Sequence, residues 1–434
     1  MIKVLKFGGT SVGSAANMKK VAEIVRREQA RITVLSAMSG TTDSLVRISR
    51  AAASGDRNAI EEQLAMLTDK YTRCIEELLR ERKQQALARM NATFGLIRDE
   101  AAAFAEYESE RKIIAQGELL TSAIFTAYLQ ETGLKAECLY SPDFMVKDPG
   151  EKVDTERIGR ALARVAGDDS TFFVAQGFIC SDSQGRIDNL GRGGSDYSAA
   201  LMGAAVEAAE VQIWTDIDGM HNNDPRFVDN TRPIRTMSFD EAAELAYFGA
   251  KILHPATIQP CKDHGIAVLL KNTMDPEAPG TTISNRDDDT KSFHAVAAKD
   301  GITVIRIHSA RMLMAYGFLR KVFEIFEQYR TPIDMITTSE VAVSLTVDND
   351  SHIDEIVRDL SALGSIEIER CNSIVCVVGR MEHGDAGLAA RVFECVRGVP
   401  IKMISYGASH RSLAILIDTE HKKRTLQCLN DGLF

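Results

Sequence analysis

The chain opens Met-Ile-Lys-Val-Leu-Lys-Phe-Gly-Gly-Thr-Ser, and this stretch narrows the candidate folds sharply. An apolar strand pattern at residues 2–7 breaks into two adjacent glycines, Gly8 and Gly9, and two hydroxyls, Thr10 and Ser11. Paired glycines let backbone N–H groups approach a ligand where a side chain would stand in the way. Lys6 adds a positive charge beside them, and a helix expected to start near residue 17 or 18 turns its positive end the same way. These are the parts of a phosphate site. A tight strand–helix turn with an exposed lysine fits the same residues. A Walker-type loop is excluded, because GxxxxGK[ST] is absent and the lysine precedes the glycines.

At 434 residues the chain predicts two to four domains. Formal charge is −10 without a long basic run, so nucleic acid is not an expected partner. No apolar run reaches membrane-spanning length and no signal peptide precedes the first strand, which predicts a cytoplasmic location and no membrane partner. The eight cysteines are dispersed and match no metal spacing, so reduced thiols are expected. None of the nine histidines forms an HExxH-type pair, and no histidine-ligated metal is expected.

Strand-like runs at 2–7 and 31–37 flank an amphipathic stretch at 16–29, an order that favours a parallel sheet covered by helices. Residues 56–104 read as helix throughout, an insertion expected to carry little chemistry. Strand patterns return at 135–139, 171–177, 211–215 and 267–271. The acidic segment 285–291 predicts the main boundary. Beyond it the sequence repeats: Pro332-Ile-Asp-Met-Ile is echoed by Pro400-Ile-Lys-Met-Ile, each followed by a strand that ends at an aspartate, Asp348 or Asp418. Matched elements around both copies, opening with strands at 303–307 and 374–378, predict strand–helix–strand–strand–helix twice, with a closing strand at 365–369 after the first copy only. The second copy is left short of a strand. Either its sheet is small or the two copies complete each other, and a half-made edge invites pairing with a second chain.

Within the first part, Ser36-Ala-Met-Ser-Gly-Thr-Thr-Asp43 follows a strand, and its hydroxyls suit a ligand or the cap of a helix beginning near Ser44. Gly117-Glu118, expected at the end of a charged helix, offers an acid for an ammonium group, or an ordinary exposed glutamate. Asn189-Leu-Gly-Arg-Gly-Gly-Ser-Asp196 is the strongest internal signal. Arg192 supplies a bidentate fork for a carboxylate or phosphoryl group, and the following helix start favours anions. Trp214-Thr-Asp216 to Asp224-Pro-Arg226 follows a strand end, where open α/β sheets bind ligands. Phe248-Gly-Ala-Lys251 adds a second lysine after a glycine. Two lysines and two arginines on such loops suit phosphoryl transfer, which needs donors around the moving group.

Taken together, Lys6-Phe-Gly-Gly-Thr-Ser-Val12, the Ser36 to Asp43 segment, Gly117-Glu118, Gln176-Gly-Phe178, Leu190 to Asp196, Trp214 to Arg226, Phe248 to Pro255 and Ile333 to Val341 closely resemble the aspartate kinases of the amino-acid kinase family. The resemblance covers essentially the whole chain. It implies an α/β fold: a three-layer amino-acid kinase sandwich with a mainly parallel central sheet, plus two α+β, ferredoxin-like ACT modules. The catalytic domain would span 1–290, with the helical insertion at about 56–115, and the ACT-like modules 298–370 and 371–434, the second intertwined with the first.

The implied reaction takes ATP and L-aspartate to ADP and 4-phospho-L-aspartate, the first step toward lysine, threonine, methionine and, in bacteria, diaminopimelate. Mg²⁺ is implied on the nucleotide. By the same resemblance Ser36, Thr42, Glu118, Phe178, Arg192 and Ser195 form the aspartate pocket, with Arg192 on the α-carboxylate and Glu118 on the α-ammonium. Thr215, Asp216, His221, Arg226 and Lys251 lie on the ATP side. Lys6, Gly8 and Gly9 neutralise the phosphoryl group, and Asp196 orients the lysines or acts through Mg²⁺. His221 departs from the family, which usually has tyrosine or another residue there, and this puts the nucleotide contact of its loop in question. Alternatives are a glutamate or acetylglutamate kinase, or a non-catalytic amino-acid sensor.

The tail is most similar to that of lysine-sensitive, single-function members, since no GxGxxG follows it. Met312, Ala315, Gly317, Phe318, Asp334, Thr338, Ser339 and Glu340 match the effector site of such members, although Met312 and Phe318 suit a core equally well. Ala315 replaces a hydroxyl of that pattern, so lysine sensitivity is weakened or threonine takes its place. A homodimer through the tail, or a tetramer, is expected.

Overall fold

The computed structural model describes residues 1–148, 150, 152–167, 170–249, 253–286, 292–309, 312, 316–381 and 387–434. The chain divides into two compact units. The first comprises Met1–Met220, Arg235–Phe239 and Leu253–Asp287; the second comprises His221–Ile234, Asp240–Ile252 and Asp288–Phe434. Among the described residues no helix is long and apolar enough to cross a membrane.

The first unit begins with β1 (Lys3–Phe7), α1 (Ala15–Glu28), β2 (Ile32–Leu35) and α2 (Thr41–Ser54). Three long helices follow, α3 (Arg57–Leu78), α4 (Lys83–Ala102) and α5 (Glu106–Glu131), so the expected insertion runs without a break into a helix that reaches residue 131. Next come β3 (Ala136–Cys138), β4 (Val146–Lys147), α6 (Thr155–Gly167), β5 (Phe172–Gln176), β6 (Ile179–Asp182), β7 (Ile187–Asn189), α7 (Gly194–Ala205) and β8 (Glu210–Thr215). After β9 (Thr236–Ser238) and α8 (Phe239–Tyr247), which lies almost wholly in the second unit, α9 (Gln259–Asp263), β10 (Ala267–Asn272) and β11 (Thr281–Ser284) complete it.

The main sheet has eight strands in the order β3-β5-β2-β1-β8-β10-β11-β9. Neighbours from β3 to β10 are parallel, and these are the six strands legible as apolar runs; β10 and β11 are antiparallel. All four residues of β2 are buried, as expected of a parallel strand covered on both faces. Side-chain alternation sends Leu5 and Phe7 into a core shared with α1 to α5. It sends Lys6 to the other face, where α7 crosses β1, β2 and β8. The result is three layers. A small sheet, β4-β6-β7, stands apart.

The second unit continues with β12 (Phe293–His308), α10 (Phe318–Gln328), β13 (Ile336–Thr338), β14 (Ala342–Val347), α11 (Ile353–Leu360), β15 (Ser365–Gly379), α12 (Leu388–Cys395), β16 (Met403–Tyr406), β17 (Ser412–Asp418) and α13 (Lys422–Leu433). Instead of two small sheets there is one antiparallel sheet, in the order β13-β14-β12-β15-β17-β16. The strands expected at 365–369 and 374–378 are halves of the single β15, and β12 starts ten residues earlier than the pattern at 303–307 suggests. The ends of β12 and β15 cross over: Phe293 pairs with Gly379, and His308 with Ser365. The strand missing from the second repeat is therefore the first half of β12. Two cores lie against this sheet, one with α10 and α11, the other with α12 and α13.

Candidate active site

Parallel register brings four loops of the first unit to one edge. Phe7 stands beside Leu35 and Trp214, and Leu35 beside Gln176, so the chain leaves β1, β2, β5 and β8 at the same level. This is the carboxyl edge, where open α/β sheets bind ligands. Backbone bonds tie the exits together: Gly8 N–H donates to Trp214 O at 3.2 Å, Ser36 N–H to Phe7 O at 3.2 Å, Gly177 N–H to Leu35 O at 2.9 Å and Ser39 N–H to Gly9 O at 3.0 Å. Gly9 is required for closeness, since a Cβ there would stand 2.9 Å from Ala37 O. Helix α1 begins at Ala15, earlier than expected, because Ser14 caps it by accepting from Asn17 N–H at 3.2 Å.

The start of α7 closes the site from the other side of the sheet. Gly191 and Gly193 take left-handed conformations at φ 71° and 72°, and no side chain caps the helix. Lys6 Nζ lies 2.6 Å from Asp196 Oδ1, and Ser36 Oγ donates to Ser195 Oγ at 3.0 Å. Phe178 holds a positive φ of 70° while its N–H donates to Ser198 Oγ at 3.0 Å. Lys6, Ser36, Phe178, Ser195 and Asp196 thus converge. Arg192, on the arch between the glycines, is exposed and without a partner among the described residues.

Glu118 is neither at a helix end nor exposed: it sits midway along α5 and is 3 % accessible. Gly117 beside it lets the helix touch Ala37, where a Cβ would come within 2.8 Å. Glu118 Oε1 accepts from Ala37 N–H at 3.2 Å, whereas Oε2 is buried without a hydrogen-bond partner among the described residues. Burial pushes this carboxyl up to about 7. One turn on, Thr121 Oγ1 accepts from Met38 N–H at 3.1 Å and meets Tyr71 Oη at 3.2 Å, which meets Thr41 Oγ1 at 3.2 Å. Lys70 donates to Ser39 O and, at 3.2 Å, to Thr41 Oγ1. The insertion is expected to carry little chemistry; its helix α3 sets Lys70 and Tyr71 against the Ser39–Thr41 segment. The only hint in sequence is the spacing of Glu118 and Thr121, one helical turn apart beside Gly117. Helix α2 begins at Thr41 rather than near Ser44, behind Gly40 at φ 75°, so the hydroxyls do not cap it; Thr42 is half-buried in its first turn.

On the expected nucleotide side, Thr215 Oγ1 donates to Asp216 Oδ1 at 3.1 Å, and Asp216 is exposed. Lys271, which sequence reasoning passed over, stands beside Trp214 in β10 with its ammonium 5.2 Å from the indole centroid. His221 and Arg226 fall in the second unit. His221 Nδ1 meets Thr231 Oγ1 at 3.0 Å. The Arg226 fork closes on its own loop, with Nε 2.9 Å from Asp224 Oδ1 and Nη2 2.6 Å from Oδ2. Lys251 lies outside the described residues.

Comparison with known proteins places these features in a family. The amino acid kinase family model matches residues 1–272, and an ACT domain model matches 375–433. Lysine-sensitive aspartokinase 3 of Escherichia coli (strain K12) is 34 % identical, with 100 % of this chain and 99 % of that protein covered. The chain belongs to the aspartate kinase family. Among solved structures, E. coli aspartokinase III in complex with aspartate and ADP (R-state) superposes with a TM-score of 0.87 at 32 % identity, covering 100 % of both chains. The same enzyme in complex with lysine and aspartate (T-state) gives 0.84 at 33 %, covering 100 % of this chain and 99 % of that one. The family's chemistry is ATP-dependent phosphorylation of L-aspartate for amino-acid biosynthesis.

In the ACT-like part of this aspartate kinase family member, Phe318, the first residue of α10, lies in the core, and Met312 packs against that core. Gly317, at φ 79°, precedes that helix, and Ala315 lies outside the described residues. Asp334 does not stand open: its side chain is 2 % accessible, and Oδ1 accepts from Tyr247 Oη at 2.9 Å and Lys299 Nζ at 2.7 Å. Lys299 also reaches Asp348 Oδ2 at 2.7 Å. Burial opposes its charge, but these two carboxylates hold its pKa above the ordinary value. The second repeat inverts the pattern, for Lys402, at the position matching Asp334, pairs with Glu369 and Asp418. Thr338 ends β13, Ser339 Oγ accepts from Ala342 N–H at 3.1 Å, and Glu340 is exposed.

Glu118 makes a test of this geometry. Its folded-state pKa is raised, so the fold favours the neutral acid and loses stability as pH rises from the unfolded value through about 7. Glu118→Gln is expected to be more stable than wild type at pH 8 by on the order of 1–3 kcal/mol, and to lose that advantage near pH 4. Urea denaturation at both pH values measures it; an equal difference at both would place the carboxyl in a water-like setting.

Proposed function

We propose that the first unit transfers the γ-phosphoryl group of ATP to the side-chain carboxylate of L-aspartate, forming 4-phospho-L-aspartate. The observation that carries this reading is the convergence at one sheet edge of Lys6, the Gly8-Gly9 turn, Ser36, Ser195 and Asp196 with the buried, unpartnered oxygen of Glu118. Phosphoryl transfer asks the protein to hold two anions together rather than to form a covalent bond. Glu118 Oε2 grips the α-ammonium of aspartate, which supplies the partner that this oxygen lacks. Arg192, free on its arch, takes the α-carboxylate as a bidentate pair. Ser36, Thr42, Phe178 and Ser195 shape the remaining wall. The attacking carboxylate is ionised near neutral pH, so no general base is needed. Lys6 and the amides of Gly8 and Gly9 stabilise charge on the moving group, while Asp196 keeps the Lys6 ammonium in place between turnovers.

By the same resemblance we assign Thr215, Asp216, His221, Arg226 and Lys251 to ATP binding, with Arg226 released from Asp224 when phosphate competes for it. Mg²⁺ arrives on the nucleotide. Mg²⁺ favours phosphate oxygens and water, and Asp196, the carboxylate paired with Lys6, would stand beside such an ion. When bound it neutralises phosphate charge. We assign 1–290 to catalysis, and 298–370 and 371–434 to regulation by an end-product amino acid. The protein works in the cytoplasm, in keeping with its eight free cysteines, as a homodimer or tetramer.

Purified protein with ATP, Mg²⁺ and hydroxylamine is expected to form aspartyl hydroxamate from aspartate and much less product from glutamate. Equal product from both, or none from either, would overturn the assignment. Lys6→Ala is expected to lower kcat by two or more orders of magnitude, whereas Arg192→Ala chiefly raises the aspartate KM. Near-normal turnover in a folded Lys6→Ala protein removes the phosphate-loop role.

For regulation we take lysine as the effector, with Asp334 or Glu340 receiving its ammonium. Lys299 already neutralises Asp334, so lysine has to displace it. Lys299→Met is therefore expected to lower the lysine concentration for half-inhibition about tenfold. Unchanged inhibition would detach Asp334 from effector binding, and threonine inhibition without lysine inhibition would reassign the effector.

A further inference from the structure

We propose that Lys70 of α3, a helix outside every recognised motif, supplies positive charge to the acceptor side of the kinase site. The inference rests on the kinase reading above and extends it to a residue with no assigned role. Helix α3 is capped by Asp56, whose side chain accepts from Ala59 N–H at 3.0 Å, and its apolar stripe joins the main core. Tyr71 on that stripe is fully buried, and burial pushes its phenol up to about 12. Lys70, the residue before it, is half-buried and bonds to the Ser39–Thr41 segment. Burial pulls its pKa down, and no carboxylate among the described residues stands within ion-pair distance of it. Its two recorded partners, Ser39 O and Thr41 Oγ1, are neutral.

A lysine drawn from water without a counter-ion costs stability, and charged side chains in such places are normally paired. Lys3, Lys6, Lys147 and Lys299 each have a carboxylate; Lys70 has none among the described residues. A transient anion at the site would supply that partner. Position says which one. The carbonyl that Lys70 holds belongs to Ser39, whose own N–H donates to Gly9 O at 3.0 Å and whose backbone stands 3.4 Å from where a Gly9 Cβ would be. Lys70 is thus bonded to the segment that lies directly on the glycine turn. Lys6, on the other face, already shares its charge with Asp196. Lys70 therefore adds uncompensated charge where an aspartate carboxylate and a phosphoryl group meet, acting through its field and through the Ser39–Thr41 backbone that it fixes.

The test compares Lys70→Arg, Lys70→Gln and Lys70→Met in the full chain. Glutamine keeps a donor for Ser39 O but removes the charge. We expect Lys70→Gln to lower kcat/KM for aspartate about tenfold and to flatten its dependence on ionic strength, with Lys70→Arg restoring both and thermal stability little changed. If Lys70→Gln matches wild type in kcat/KM and salt dependence while Lys70→Met loses stability, Lys70 is only a staple and the proposal fails. If wild type forms no aspartyl hydroxamate, the kinase reading fails instead. Titration calorimetry with L-aspartate then decides the charge role: weaker, less salt-dependent binding to Lys70→Gln supports it, and equal binding overturns it.

Discussion

The ion pair between Lys6 and Asp196 is the contact on which the rest of the first unit turns. It joins the end of β1 to the first turn of α7, so the phosphate-type loop and the arginine-bearing arch are set at a fixed separation. It exists because side-chain alternation turns Lys6 away from the helical core and toward α7. Shifting β1 by one residue would send Lys6 into the apolar layer and Leu5 into the site. The parallel register of β1 with β2 and β8 forbids that shift.

Around this pair the charges are unequally provided for. Among the described residues Lys6 has an acid, Arg192 has none, and Glu118 has one satisfied and one unsatisfied oxygen. An acid held near neutrality by burial and an arginine left in water make a pocket that is incomplete until a zwitterion enters. The same contrast separates the two repeats of the tail. Lys299 bridges Asp334 and Asp348 in one, and Lys402 bridges Glu369 and Asp418 in the other, so only the first offers a carboxylate at the matching place.

Much of this was legible in the sequence. The six parallel strands follow from apolar runs, and the glycine-rich turns at 8–9 and 191–194 mark the points where the backbone approaches closely or turns left-handed. Depth was not legible. Glu118 reads as a surface helix acid because nothing local reveals that Gly117 presses α5 onto Ala37. Lys70 and Tyr71 vanish into an evenly helical stretch, since their partners are 29 to 50 residues away. Arg226 and Asp334 look free in sequence because their counter-ions come from local folding in one case and from β12 in the other. The first half of β12 was overlooked because it pairs only with a strand some eighty residues on.

That long strand has a consequence for the tail as a mechanical object. Each of β12 and β15 begins in one core and finishes in the other, with Gly301 and Cys371 in left-handed conformations near the crossing. Neither repeat therefore owns a whole sheet. A strain on one core is carried along the same two polypeptide segments into the other, as in a pair of levers sharing their beams. The duplicated sequence behaves as one cooperative body, and a cut at the repeat boundary would leave two fragments that each expose a bare β-edge.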